Sequence, residues 1–114
     1  MITVEKLNNF GANTAEGLAR CFGNEALYLK LVATIPGEAN FGKLKDALAE
    51  KNLKAAFEAA HALKGVLANL SLTPIYTPVA EITELLRSNT DMDYKSLLDT
   101  ILEKRDELGR LCAE

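Results

Sequence analysis

Apolar residues recur along most of this chain at intervals of three and four, the spacing of one helix face rather than the alternation of a strand. Leu27, Leu31 and Ile35, joined by Tyr28 and Val32, form one stripe. Phe41, Leu44 and Leu48 form a second. The longest runs through Leu53, Ala56, Ala60, Leu63, Leu67 and Leu70. Leu97, Leu98, Ile101, Leu102, Leu108 and Leu111 make the last.

Capping and breaking residues divide these stripes. Thr3 predicts a short helix to about Asn9, stopped by Gly11. Asn13 or Thr14 opens another through Leu18 to about Cys21, ended by Gly23. Asn24 caps the next, with Glu25 favourably placed in its first turn. Pro36-Gly37 interrupts the pattern, and helix resumes near Asn40. Lys51-Asn52 marks a turn, and Asn52 caps a helix from Leu53 to about Leu70. At ~1.5 Å per residue that helix is about 27 Å long. Thr73-Pro74 pairs a capping hydroxyl with proline at the first helical position of a helix to about Arg87. Ser88-Asn89-Thr90 is a polar loop, after which Asp91 or Asp93 caps the final helix. The expected fold is all-α, an antiparallel up-down four-helix bundle with a short additional N-terminal helix or helices. One domain over residues 1–114 is expected, with 1–12 an extension and 13–112 the bundle.

Composition narrows the function. The 114 residues are enough for one domain with its own core, and 48% apolar content excludes disorder. Thirteen basic residues stand against sixteen acidic ones, a net charge of −3 with no basic block, which excludes nucleic-acid binding. Cys21 and Cys112 lie near opposite ends and outside any CxxC pair, so both read as reduced structural thiols. No apolar run approaches the ~18 residues of a membrane span. Met1 to Glu5 lacks the layout of a signal peptide. A cytoplasmic protein is expected, free or as the cytoplasmic part of a membrane-bound one.

The candidate chemistry centres on the chain's single histidine, in His61-Ala62-Leu63-Lys64-Gly65. On a helix, residues three and four apart are surface neighbours. Advancing about 100° per residue puts His61 at the margin of the core stripe, among Phe57, Lys64, Gly65 and Ala68. Lys54 lies two turns earlier on the same side. An imidazole is a good nucleophile near neutral pH, and a lysine can meet phosphate oxygens placed on it. Gly65 costs ~1 kcal/mol relative to Ala inside a helix, yet Val66 and Leu67 continue the apolar spacing without a break. A missing side chain there makes sense if something bulky must reach the ring. No neighbouring carboxylate base, nucleotide-binding loop or second histidine is evident, so the site suits holding a phosphoryl group rather than making one from ATP. A packing glycine and a solvated lysine are the bland alternatives.

The run from His61 through Asn69-Leu70-Ser71-Leu72 resembles the signature of histidine-containing phosphotransfer (HPt) domains, approximately H-x-L-K-G-x-x-x-N-L-G-L. The resemblance extends to Gly17 through Tyr28, to Thr73-Pro74-Ile75-Tyr76, and to the helix through Glu81 and Glu84. It implies a four-helix bundle whose exposed histidine shuttles phosphoryl groups between receiver-domain aspartates. By position, His61 is the phosphorylated residue, Lys64 the phosphate-stabilising residue and Gly65 the residue giving access. Phe57, Ala68 and Leu72, with Lys54, are the expected docking edge. Ser71 departs from the pattern, standing where glycine is common. The implied partners are response-regulator receivers or a hybrid sensor histidine kinase. No intrinsic cofactor is expected, since Mg²⁺ belongs to the receiver. A monomer is expected. A phosphotransfer segment of a chemotaxis-type kinase shares the H-x-x-K-G core and stays open, as does a non-catalytic helical interaction module. The dimerising domain of a sensor kinase is a poor match, because Glu and then Arg/Lys-Thr-Pro typically follow its histidine.

Overall fold

A computed structural model describes residues 1–114. Side-chain caps decide where its first helices begin. Thr3, Asn13, Asn24 and Asn52 each accept a hydrogen bond from the N–H three residues on, at Lys6, Glu16, Leu27 and Ala55. Each satisfies one donor that a helix start leaves unpaired. The helices so opened are α1 (Val4–Phe10), α2 (Thr14–Arg20), α3 (Glu25–Ala33) and α5 (Leu53–Asn69). Between α3 and α5, Pro36-Gly37 forms a single 3-10 turn, Ile35–Gly37, and α4 spans Ala39–Ala49. Helix α6 covers Thr73–Arg87 and α7 covers Lys95–Ala113. There are no strands.

Helix ends share a device that the glycine pattern did not reveal. Phe22, Lys51, Ser71 and Asn89 follow α2, α4, α5 and α6 with φ of 59°, 57°, 53° and 52°. These are left-handed residues that reverse the chain and pair the last helical carbonyls. Only α1 closes directly on a glycine, Gly11, at φ 107°.

Two helix starts differ from the sequence expectation. Leu72, not Thr73, stands at the cap of α6, and its carbonyl accepts from the N–H groups of Ile75 and Tyr76. Leu72 is completely buried, and this anchor starts the helix one residue early. The Thr73 hydroxyl turns back toward the Ser71 carbonyl at 3.5 Å. At α7 the cap position is Tyr94, while the Asp93 carboxylate accepts the Lys95 N–H at 2.9 Å. Pro78, unremarked in the sequence, lies buried inside α6 and removes one donor from its ladder.

Helix α5 is central, packed along α4 on one side and α6 on the other. Ala56, Ala59, Ala60, Leu63, Leu67 and Leu70 are all buried, as the stripe predicts, with Ala59 an addition to it. Helix α7 packs on α6 and on the 3-10 turn, and Arg105 of α7 lies 5.6 Å over the Phe41 ring of α4. Ile2, Leu7 and Phe10 of the N-terminal segment join the same apolar cluster. Tyr28 of α3 crosses to the end of α5, donating its hydroxyl to the Leu70 carbonyl at 2.9 Å. Its ring passes so close to α2 that a β-carbon at Gly17 would lie 2.5 Å from Cε1.

Candidate functional site

Because the alanine and leucine face of α5 is turned inward, the adjoining face is left to solvent. His61 stands on that face and is exposed. Its ring stacks on Phe57, one turn earlier, with centroids 5.6 Å apart and planes 20° from parallel. Phe57 is half-buried, and its ring carries the Arg87 guanidinium at 5.0 Å. The imidazole therefore rests against an aromatic ring braced from α6, on a residue that is exposed as a whole.

Lys64 is half-buried one turn further on, and its Nζ lies 3.5 Å from Glu84 Oε1 across on α6. Glu84 also holds the Arg87 side chain at 3.2 Å. That hydrogen bond first, then the charges of Arg87 and Lys64, keeps the Glu84 carboxyl below the usual carboxylate range. Gly65 is exposed, and a β-carbon added there would meet nothing within 4 Å. No helix-packing contact in the chain requires a glycine at this position.

The expected docking edge is placed unevenly. Lys54 is exposed and borders a groove of about 400 Å³ with Leu53, Phe57, Leu86, Arg87 and Asn89. Ala68 is half-buried, and its carbonyl takes a 2.7 Å hydrogen bond from Arg20 of α2. Leu72 does not belong to the edge. Its side chain is sealed inside the core at the start of α6, so it cannot touch a partner. The stripe geometry of α5 did not extend to Leu72, which lies beyond the turn at Ser71.

Ser71 occupies its left-handed conformation with a hydrogen bond that glycine could not make. Its hydroxyl donates to Glu16 at 3.2 Å, Glu16 pairs with Arg20 at 2.8 Å, and Arg20 closes the circuit at Ala68. The roles of Arg20, Glu84 and Arg87 were not legible in the sequence. Each acts across a helix pair, and no local spacing marks such a contact.

A cavity of about 750 Å³ lies elsewhere, between the end of α4, the start of α5 and the α6–α7 loop, and none of the candidate residues lines it. No group of three His, Cys, Asp or Glu side chains is arranged to hold a metal ion. An exposed imidazole with a cation one turn away and an open step in the helix surface is suited to an anionic group brought by another macromolecule. A family model for the Hpt domain matches residues 37–114, about two-thirds of the chain. The chain belongs to the Hpt family. An Hpt domain has a histidine phosphotransfer role in two-component signalling, where it meets receiver domains and histidine kinases. The matched span begins at the 3-10 turn, so the resemblance of Gly17 to Tyr28 lies outside it. No curated protein and no solved structure gives a significant match. No helix is long and apolar enough to cross a membrane.

Proposed function

We propose that this Hpt domain is a phosphorelay intermediate, with His61 accepting a phosphoryl group from a receiver phosphoaspartate and passing it to another receiver aspartate. The observation that carries the reading is the exposed His61 ring beside Lys64 and the unfilled step at Gly65, all on α5 of a family match. In the transfer, the neutral imidazole's lone pair, on Nε2, forms an N–P bond as the aspartyl O–P bond breaks. The electron pair of that bond leaves with the carboxylate. Lys64 offsets charge on the phosphoryl oxygens, and Gly65 gives room for the receiver's backbone. Phe57 fixes the ring plane, while Lys54 and Arg87 present positive charge to an acidic receiver pocket. The receiver supplies Mg²⁺, and this chain needs no cofactor of its own. Helices α4 to α7 serve as the antiparallel four-helix bundle that carries the site; short turns at Lys51-Asn52 and Ser71-Leu72 suit antiparallel neighbours. A monomer suffices, since the site is complete on one chain.

Pulse-chase phosphotransfer tests the relay. Label from a ³²P-charged receiver should move onto this chain and then leave it when a second, uncharged receiver is added. Label that reaches the chain and cannot be chased to any receiver would contradict an intermediate's role. The chemotaxis-kinase reading shares the second transfer, from His61 to a receiver, and differs in receiving the phosphate from an ATP-dependent kinase domain instead of a receiver.

A further inference from the structure

The cation closest in sequence to His61 on its own face is already engaged. Lys64 reaches across to α6, with its Nζ 3.5 Å from Glu84 Oε1. The same carboxylate holds Arg87 at 3.2 Å, and Arg87 lies over the ring on which His61 stacks. One acidic side chain thus controls two of the positive charges around the imidazole. Both partners are accessible, with Glu84 57% and Lys64 29% exposed, so the pair is weak and exchangeable. A phosphoryl group near neutral pH carries close to two negative charges, more than one carboxylate. On the helix surface it would stand one turn from Lys64.

We propose that Glu84 is a positioning residue that holds Lys64 against α6 until a phosphoryl group on His61 competes for it, so that its carboxylate sets how tightly the phosphorylated ring is held. The inference rests on phosphate residing on His61. In the resting domain Glu84 orders the lysine and limits its reach. In the phosphorylated domain it draws the lysine back, which favours release to the next aspartate. Without the carboxylate, Lys64 commits to the phosphoryl oxygens and the dianion is favoured.

The full chain can be loaded with phosphoramidate: the imidazole lone pair forms the N–P bond as the donor's P–N bond breaks, and ammonia leaves with that electron pair. The phosphoryl resonance is then followed by ³¹P NMR against pH in wild type, Glu84→Gln, Lys64→Met and the double variant. Glu84→Gln should lower the titration midpoint by about 0.2–0.7 pH units, a factor of roughly 1.5–5, the range of an exposed ion pair. With Lys64→Met in place, Glu84→Gln should lose at least half of that effect. A midpoint that does not fall in Glu84→Gln, or that falls equally when Lys64 is replaced, would overturn the role. If the wild type loads at His61 while Glu84→Gln changes nothing, only the positioning role is lost. If nothing loads at His61, the phosphotransfer reading falls with it.

Discussion

Gly65 separates two explanations that look alike in a sequence. A packing glycine and an access glycine both sit on a helix, but the first has a close neighbour and the second does not. Gly65 has none within 4 Å of where a β-carbon would be, so nothing inside the chain explains it. Gly65→Ala should therefore stabilise the isolated domain by up to ~1 kcal/mol, seen as a higher thermal midpoint. The same methyl should slow transfer from a charged receiver by about tenfold, the effect of ~1.4 kcal/mol at a tight contact. A faster or unchanged rate would remove the access role. Lys64→Ala should also slow transfer by about tenfold with the midpoint nearly unchanged, because its exposed pair with Glu84 contributes little to folding. At this scale the sequence was informative about His61, Lys64 and Gly65, whose relation is set by one helix's own periodicity. It said nothing of Glu84 and Arg87 at the site, and it misjudged Leu72, because their positions depend on how α5 meets α6.

The elements themselves follow from capping chemistry. Asparagine and threonine caps open α1, α2, α3 and α5 where the sequence places them, since a cap acts over three residues. The start of α6 went differently because burial of Leu72 outweighs the local preference of Thr73. Closer to the site, α2 and α3 clasp the end of the histidine helix. Tyr28 bonds the Leu70 carbonyl, Arg20 bonds that of Ala68, and Gly17 makes room for the Tyr28 ring. Gly17→Ala should cost about 1–3 kcal/mol, because the added carbon would lie 2.5 Å from Cε1, 2.7 Å from Cζ and 2.7 Å from the hydroxyl of a ring fixed by its own hydrogen bond. Chemical denaturation measures this directly, and an unchanged midpoint would mean the α2–α3 contact is slack. The interlock was not visible in the sequence, which contained the glycine and the tyrosine but not their meeting.

Across the whole molecule, the N-terminal helices and the matched Hpt span share one core, and Tyr28 lies where they join. Burial, and secondarily the charge of Cys21, pushes the Tyr28 hydroxyl up from 10.0 to about 12. The unfolded chain releases that proton first as pH rises, so its contribution to stability is intact below about pH 10 and lost progressively toward about pH 12. Denaturation midpoints measured from pH 9 to 12 should fall over that window. Tyr28→Phe should lower stability by about 1 kcal/mol at neutral pH, through the lost bond to Leu70, and flatten the alkaline fall. An equally steep fall in the variant would place the titrating group elsewhere. The all-helical architecture was readable from hydrophobic period alone; the way α1 to α3 are welded to the rest depends on tertiary contacts that no period encodes.

Whether His61 carries the phosphoryl group is decided by comparing the wild type with a variant that lacks the imidazole. Wild type and His61→Gln are each incubated with a ³²P-charged receiver that transfers to the wild type, and protein-bound label is measured before and after mild acid. The wild type should gain label that acid removes, and His61→Gln should gain none. Acid-labile label on His61→Gln at the wild-type level would place the phosphoryl group on another residue.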